Sequence, residues 1–107
     1  MKVIILENRL ENIVFKYLDV KLKDVEQLEG QYFDVLFRIP GYNLGIMGYN
    51  PSNYVLNIHN KLIDDIFLFI PIEKTEIMRL IVNYVENKYG VNFSGVKSPL
   101  FKSDLWR

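Results

Sequence analysis

The sequence predicts an α+β fold: an N-terminal helix, a three- to four-stranded antiparallel meander, two C-terminal helices and an extended C-terminal tail. Three observations carry this. Apolar residues recur at helical spacing between Leu6 and Leu18 and again between Ile77 and Val85. Gln31 to Ile39 alternates in the manner of a strand. Proline- and glycine-bearing turns at residues 40–43 and 50–53 then cut the middle of the chain into short segments. Residues 1–93 read as a single α+β domain, and residues 94–107 as a tail or arm.

In order along the chain, Leu6, Leu10, Ile13, Val14, Tyr17 and Leu18 form the apolar stripe of an amphipathic helix over residues 7–18. Glu7 and Glu11 near its start suit the helix dipole. Lys2 to Leu6 reads either as a short strand or as a lead-in. The spaced Val20, Leu22, Val25 and Leu28 read as a connector ending at Gly30, with room for one short strand. In the next segment Phe33, Val35, Phe37 and Ile39 share one strand face, and Tyr32, Asp34, Leu36 and Arg38 the other. Pro40-Gly41-Tyr42-Asn43 has type II turn chemistry, so a second strand follows at 44–49. Asn50-Pro51-Ser52-Asn53 turns the chain again into a third strand at 54–58.

Asn60 is the expected N-cap of a helix carrying Leu62, Ile63, Ile66 and Phe67. Pro71 disfavours helical geometry at Ile70 and so ends it near Phe69. A longer helix follows from about Glu73 to Tyr89, with Gly90 placed to close it in a left-handed conformation. The tail SGVKSPLFKSDLWR has no clear period. It carries Val96, Leu100, Phe101, Leu105 and Trp106, with Lys97, Lys102 and Arg107 set against Asp104.

Composition narrows the functional classes. A chain of 107 residues, half of them hydrophobic, supports one core. The formal net charge is zero, which gives no footprint for double-stranded nucleic acid and no polybasic patch for an anionic membrane surface. There is no cysteine, so disulfides, thiolate catalysis and Cys-ligated zinc are excluded. The apolar run Val3–Leu6 is too short for a signal-peptide core, and Ile66–Ile72 falls far short of the roughly 20 residues that span a bilayer. A cytoplasmic location is expected. Twelve Ile, ten Asn and no Ala point to a gene built from AT-rich codons.

The search for chemistry finds no catalytic constellation and no cofactor motif. His59, the sole histidine, could act as a general base oriented by Asp34, Asp64 or Asp65. The competing structural reading is a strand-end residue bonded to the following helix, and no nucleophile stands at a spacing that favours catalysis. Asp64-Asp65 lacks the further oxygen ligands of a metal loop. Gly41, Gly45 and Gly48 form neither a dinucleotide fingerprint nor a phosphate loop, and they read as turn or bulge positions. The positive signal is aromatic. Tyr32, Tyr42, Tyr49 and Tyr54 lie on the meander or its turns, where tyrosines serve packing, protein contact or base stacking. Arg38 is the only cation between Gly30 and Lys61, so base stacking lacks its electrostatic support.

The opening Lys-Val-Ile-Ile-Leu-Glu-Asn-Arg-Leu-Glu-Asn-Ile-Val-Phe-Lys-Tyr-Leu resembles the starts of small uncharacterised proteins of large tailed phages. Those begin with a short basic-apolar run and then Leu-Thr-Glu. Glu7 matches that pattern and the threonine is missing. The rhythm of a strand, a short helix ending in Phe and an acidic helix closing near Tyr89-Gly90 is similar to the same group. The resemblance implies a phage-like origin and carries no activity. The expectation is therefore a non-catalytic protein-interaction module, a small component of a larger assembly that binds protein partners or itself, located in the host cytoplasm or a virion. The alternative is a soluble inhibitor or adaptor that binds one host protein; a small enzyme using His59 comes last. The candidate interaction residues are Tyr42, Tyr49, Tyr54, Leu100, Phe101, Leu105 and Trp106.

Overall fold

The computed structural model describes residues 2–29, 33–39 and 45–98, with side chains from Arg9 onward in the first helix. Its elements run α1 (Lys2–Lys21), β1 (Glu26–Leu28), β2 (Val35–Arg38), β3 (Gly45–Tyr49), β4 (Val55–Ile58), α2 (Asn60–Phe67), α3 (Lys74–Tyr89) and β5 (Gly95–Lys97). This is the expected α+β order, with one addition at the end.

Helix α1 extends beyond the expected 7–18 in both directions. No proline or glycine stands between Lys2 and Gly30 to stop its propagation, so residues 2–6 are helical and not a strand. Val14, Leu18 and Leu22 recur every four residues and are completely buried. Ile13, placed in the same stripe by sequence, lies exposed at its edge.

The first four strands form the antiparallel meander, in the spatial order of the chain. Glu26 faces Arg38 across β1 and β2, and the two side chains bond at 3.1 Å. Phe37, Met47 and Ile58 stand opposite one another on consecutive strands, and all three are buried. They form the floor of the core. Phe33 departs from the expected alternation. The chain bends at Asp34, whose backbone N–H donates to Asn50 Oδ1 at 2.7 Å, so the strand begins only at Val35. Phe33 therefore joins Leu36 in a small cluster apart from the main core, and its ring lies over Gly48. A Cβ on Gly48 would come 2.7 Å from that ring, so this glycine is needed for close approach.

A fifth strand, which the sequence reading did not specify, forms at the start of the tail. Gly95–Lys97 pairs with β4 in parallel, with Leu56 opposite Val96 and Asn57 opposite Lys97. Parallel neighbours need a long crossover, and α2 with α3 supplies it. With only Val96 apolar among its three residues, β5 leaves no periodic trace in the sequence.

Helix α2 begins one residue earlier than expected. His59 takes the cap position with extended backbone angles, and its side chain accepts from the Lys61 N–H. Asn60 is the first helical residue. The helix ends at Phe67, ahead of Pro71 as anticipated. Helix α3 ends with Gly90 at φ 68°, the left-handed closure its glycine permits. It packs against α1, α2 and β5, so the helices cover one face of the sheet. The Tyr84 hydroxyl donates to Asp19 Oδ1 at 2.7 Å and accepts from Lys88, which ties α3 to α1. Burial, followed by that bond to Asp19, pushes the Tyr84 phenol well above its ordinary range.

Candidate functional site

Two surfaces and one polar junction emerge from the fold. The first surface is the turn between β3 and β4. Asn53 and Tyr54 both donate backbone N–H groups to the Asn50 carbonyl, at 3.2 and 2.9 Å, and the Val55 N–H donates to Asn53 Oδ1. Tyr54 sits at φ 52°, a left-handed conformation that costs a bulky side chain energy. Ser94 holds it there. Its N–H donates to the Tyr54 carbonyl at 2.8 Å and its hydroxyl to the Asn53 carbonyl at 2.6 Å. The ring of Tyr54 stacks on Tyr49 at 5.9 Å and stays 41% exposed.

Tyr49 itself is part of the core. It meets Phe93 edge-on at 5.1 Å and packs near Phe37, and burial followed by neighbouring Tyr54 raises its phenol above the ordinary value. The structure thus brings two of the sequence candidates together and gives them different roles. Tyr49 supports, and Tyr54 presents a surface. Tyr42, Leu100, Phe101, Leu105 and Trp106 lie outside the described residues, as does Tyr32.

The second surface was not anticipated. Along α1, Ile13, Tyr17 and Val20 fall on one narrow face beside the buried stripe. Val20 is 79% exposed, and Ile13 is exposed as well. Tyr17 touches Phe69 at 5.0 Å, which joins this face to the turn after α2. There Phe67, Leu68 and Phe69 are all exposed, Leu68 at 84%. Scattered exposed apolar residues are ordinary on any protein surface. A set linked by ring contact across two elements is a patch, the pattern found where another protein docks. Ion pairs rim it: Lys21 with Asp65 at 4.0 Å, and Lys74 with Asp64 at 3.0 Å. The Lys74 ammonium also lies 5.4 Å over the Phe67 ring. The sequence signal for this surface was a helical apolar stripe on α1 wider than one buried face, together with the apolar run Ile66–Ile70 ahead of Pro71.

The polar junction is His59. Its Nδ1 accepts from the Lys61 N–H at 3.0 Å, so that nitrogen is engaged by a backbone amide. Of the proposed orienting partners, Asp64 bonds Lys74 and Asp65 pairs with Lys21, while Asp34 lies at the far end of the sheet beside Asn50. Burial and then Lys61 lower the imidazole pKa from its ordinary value, with Asp64 opposing.

Among the described residues no group of three His, Asp or Glu side chains is placed to hold a metal ion. No helix among them is long and apolar enough to cross a membrane. A small hollow between α1 and α3 is lined by Leu10, Ile72, Glu76, Arg79 and Leu80, where Glu76 and Arg79 bond each other. No protein-family model, curated protein or solved structure matches the chain.

Proposed function

We propose that this chain is a non-catalytic protein-interaction module that associates with copies of itself as a small component of a larger assembly, of the phage-like kind its opening residues resemble. The observation that carries the reading is the set of exposed apolar residues Ile13 and Val20 on α1 and Leu68 and Phe69 after α2, with the two elements joined by the Tyr17–Phe69 contact. Burying such surface against a partner removes it from water, at about 25 cal/mol per Å² of apolar area. A second copy suits the rim. The patch is bordered by both signs of charge, and the chain carries no net charge to make copies repel. A symmetric pairing lets each lysine face the other copy's aspartate. The exposed Tyr54 turn, at a different part of the surface, supplies a second contact through which an assembly could grow beyond a pair.

Light scattering over a wide concentration range tests this. The full chain should rise above monomer mass as concentration increases, and Leu68→Glu, at a position 84% exposed, should stay monomeric with an unchanged melting temperature. A wild-type chain that remains monomeric throughout contradicts self-association. Equal association by wild type and variant contradicts the assignment of the patch.

A further inference from the structure

We propose that His59 is a proton-operated latch at the junction of β4, α2 and β5: its neutral imidazole holds the first turn of α2 closed, and protonation releases that turn together with its clasp to the C-terminal strand. The inference is independent of the interaction surface. Three elements meet at this residue. The His59 backbone N–H donates to the Ile46 carbonyl of β3 at 2.8 Å, and its carbonyl accepts from the Leu62 N–H at 3.1 Å. The side chain caps the helix through Nδ1, which accepts from the Lys61 N–H at 3.0 Å. The next residue, Asn60, accepts through Oδ1 a bond from the Ser98 hydroxyl, immediately beyond β5. The start of α2 is thereby joined to the end of the last strand.

An imidazole nitrogen accepts a hydrogen bond only while it carries no proton. In the imidazolium, Nδ1 bears an N–H that points at the N–H of Lys61. The cap is lost and two donors face each other. The new positive charge also arrives at a helix N-terminus, where the aligned peptide dipoles already disfavour it.

Among the described residues, the charges that act on the ring include Lys61 and Asp64 on α2, with Asp64 itself bonded to Lys74. From β3 the contact is the Ile46 carbonyl, and β5 brings Lys97, in register with Asn57, to the same end of the sheet. Burial foremost, then Lys61, hold the native pKa below the ordinary value of 6.5, and Asp64 offsets part of this. The native state thus favours the neutral ring. Its contribution to stability is present above the unfolded-state pKa and disappears as pH falls through the lowered native one. The window runs downward from the ordinary histidine value of 6.5.

Thermal unfolding of the full chain between about pH 7.5 and about pH 5, spanning the histidine range, provides the test. His59→Asn supplies a capping oxygen that gains no proton. The wild type should lose roughly 4–8 °C more in melting temperature than this variant over that window, the size of one helix cap in a small domain. The Lys61 amide resonance supplies a second readout, shifting and exchanging faster in step with the imidazole titration. Parallel losses in wild type and His59→Asn would overturn the proposal. If the variant does not fold, a Lys61 amide in the wild type that ignores the imidazole titration overturns it equally.

Discussion

The β3–β4 turn and the α1–α2 patch are both exposed, yet opposite physics builds them. The turn is polar and over-determined. Asn50, Asn53 and Ser94 place hydrogen bonds around Tyr54, which hold a tyrosine in a left-handed conformation and prop its ring on Tyr49. The patch has no such framework. Val20 and Leu68 are exposed because the buried faces are turned elsewhere, with Val14 and Leu18 of α1 and Leu62 and Ile66 of α2 directed into the core. Rigid polar scaffolding fixes a shape, whereas exposed apolar area supplies the free energy for association. The patch is therefore the surface that should drive binding, and the turn the one that should orient it.

The contrast within α1 gives the largest expected effect. Leu18→Ala, at a fully buried position, should cost about 2–5 kcal/mol in urea unfolding. Val20→Ala, two residues on and 79% exposed, should stay within about 0.5 kcal/mol. At a concentration where the chain is monomeric, comparable losses at both positions would mean that Val20 is covered by the chain's own residues.

A smaller effect sharpens the account of the turn. At φ 52° a glycine is unstrained and an alanine is not. Tyr54→Gly and Tyr54→Ala both remove the ring stacked on Tyr49, so their difference isolates the backbone. The glycine variant should be more stable than the alanine variant by about 1 kcal/mol, read from their denaturation midpoints. Equal stabilities would place Tyr54 outside the left-handed region.

These particulars mark what the sequence could and could not reveal. The two turns around 50–53 and 90, the meander and α3 were legible because prolines, glycines and apolar periods act locally. The missing pieces depend on tertiary context. Ile13 has the same helical period as Val14, and only the direction of the partner face decides which is covered. Phe33 falls on the opposite side of the sheet from Phe37 because Asn50, sixteen residues away, bends the chain at Asp34. Strand β5 exists because two helices carry it back beside β4, and its own three residues carry no pattern. At the start of α2, His59 displaces Asn60 as cap because an imidazole nitrogen accepts a hydrogen bond as well as an amide oxygen does. Of the candidate site, Tyr54 was found by its turn and Tyr49 proved to be its support, while of the apolar patch only Ile13 and Tyr17 lay in the helical stripe and Val20 read as connector.

If the proposed association buries the α1–α2 patch, amide hydrogen exchange on the full chain at low and high protein concentration will detect it. Protection should rise with concentration in residues 13–20 and 67–69, with a smaller change at residues 50–54. Exchange rates in residues 13–20 and 67–69 that do not change with concentration while the chain associates would contradict the account.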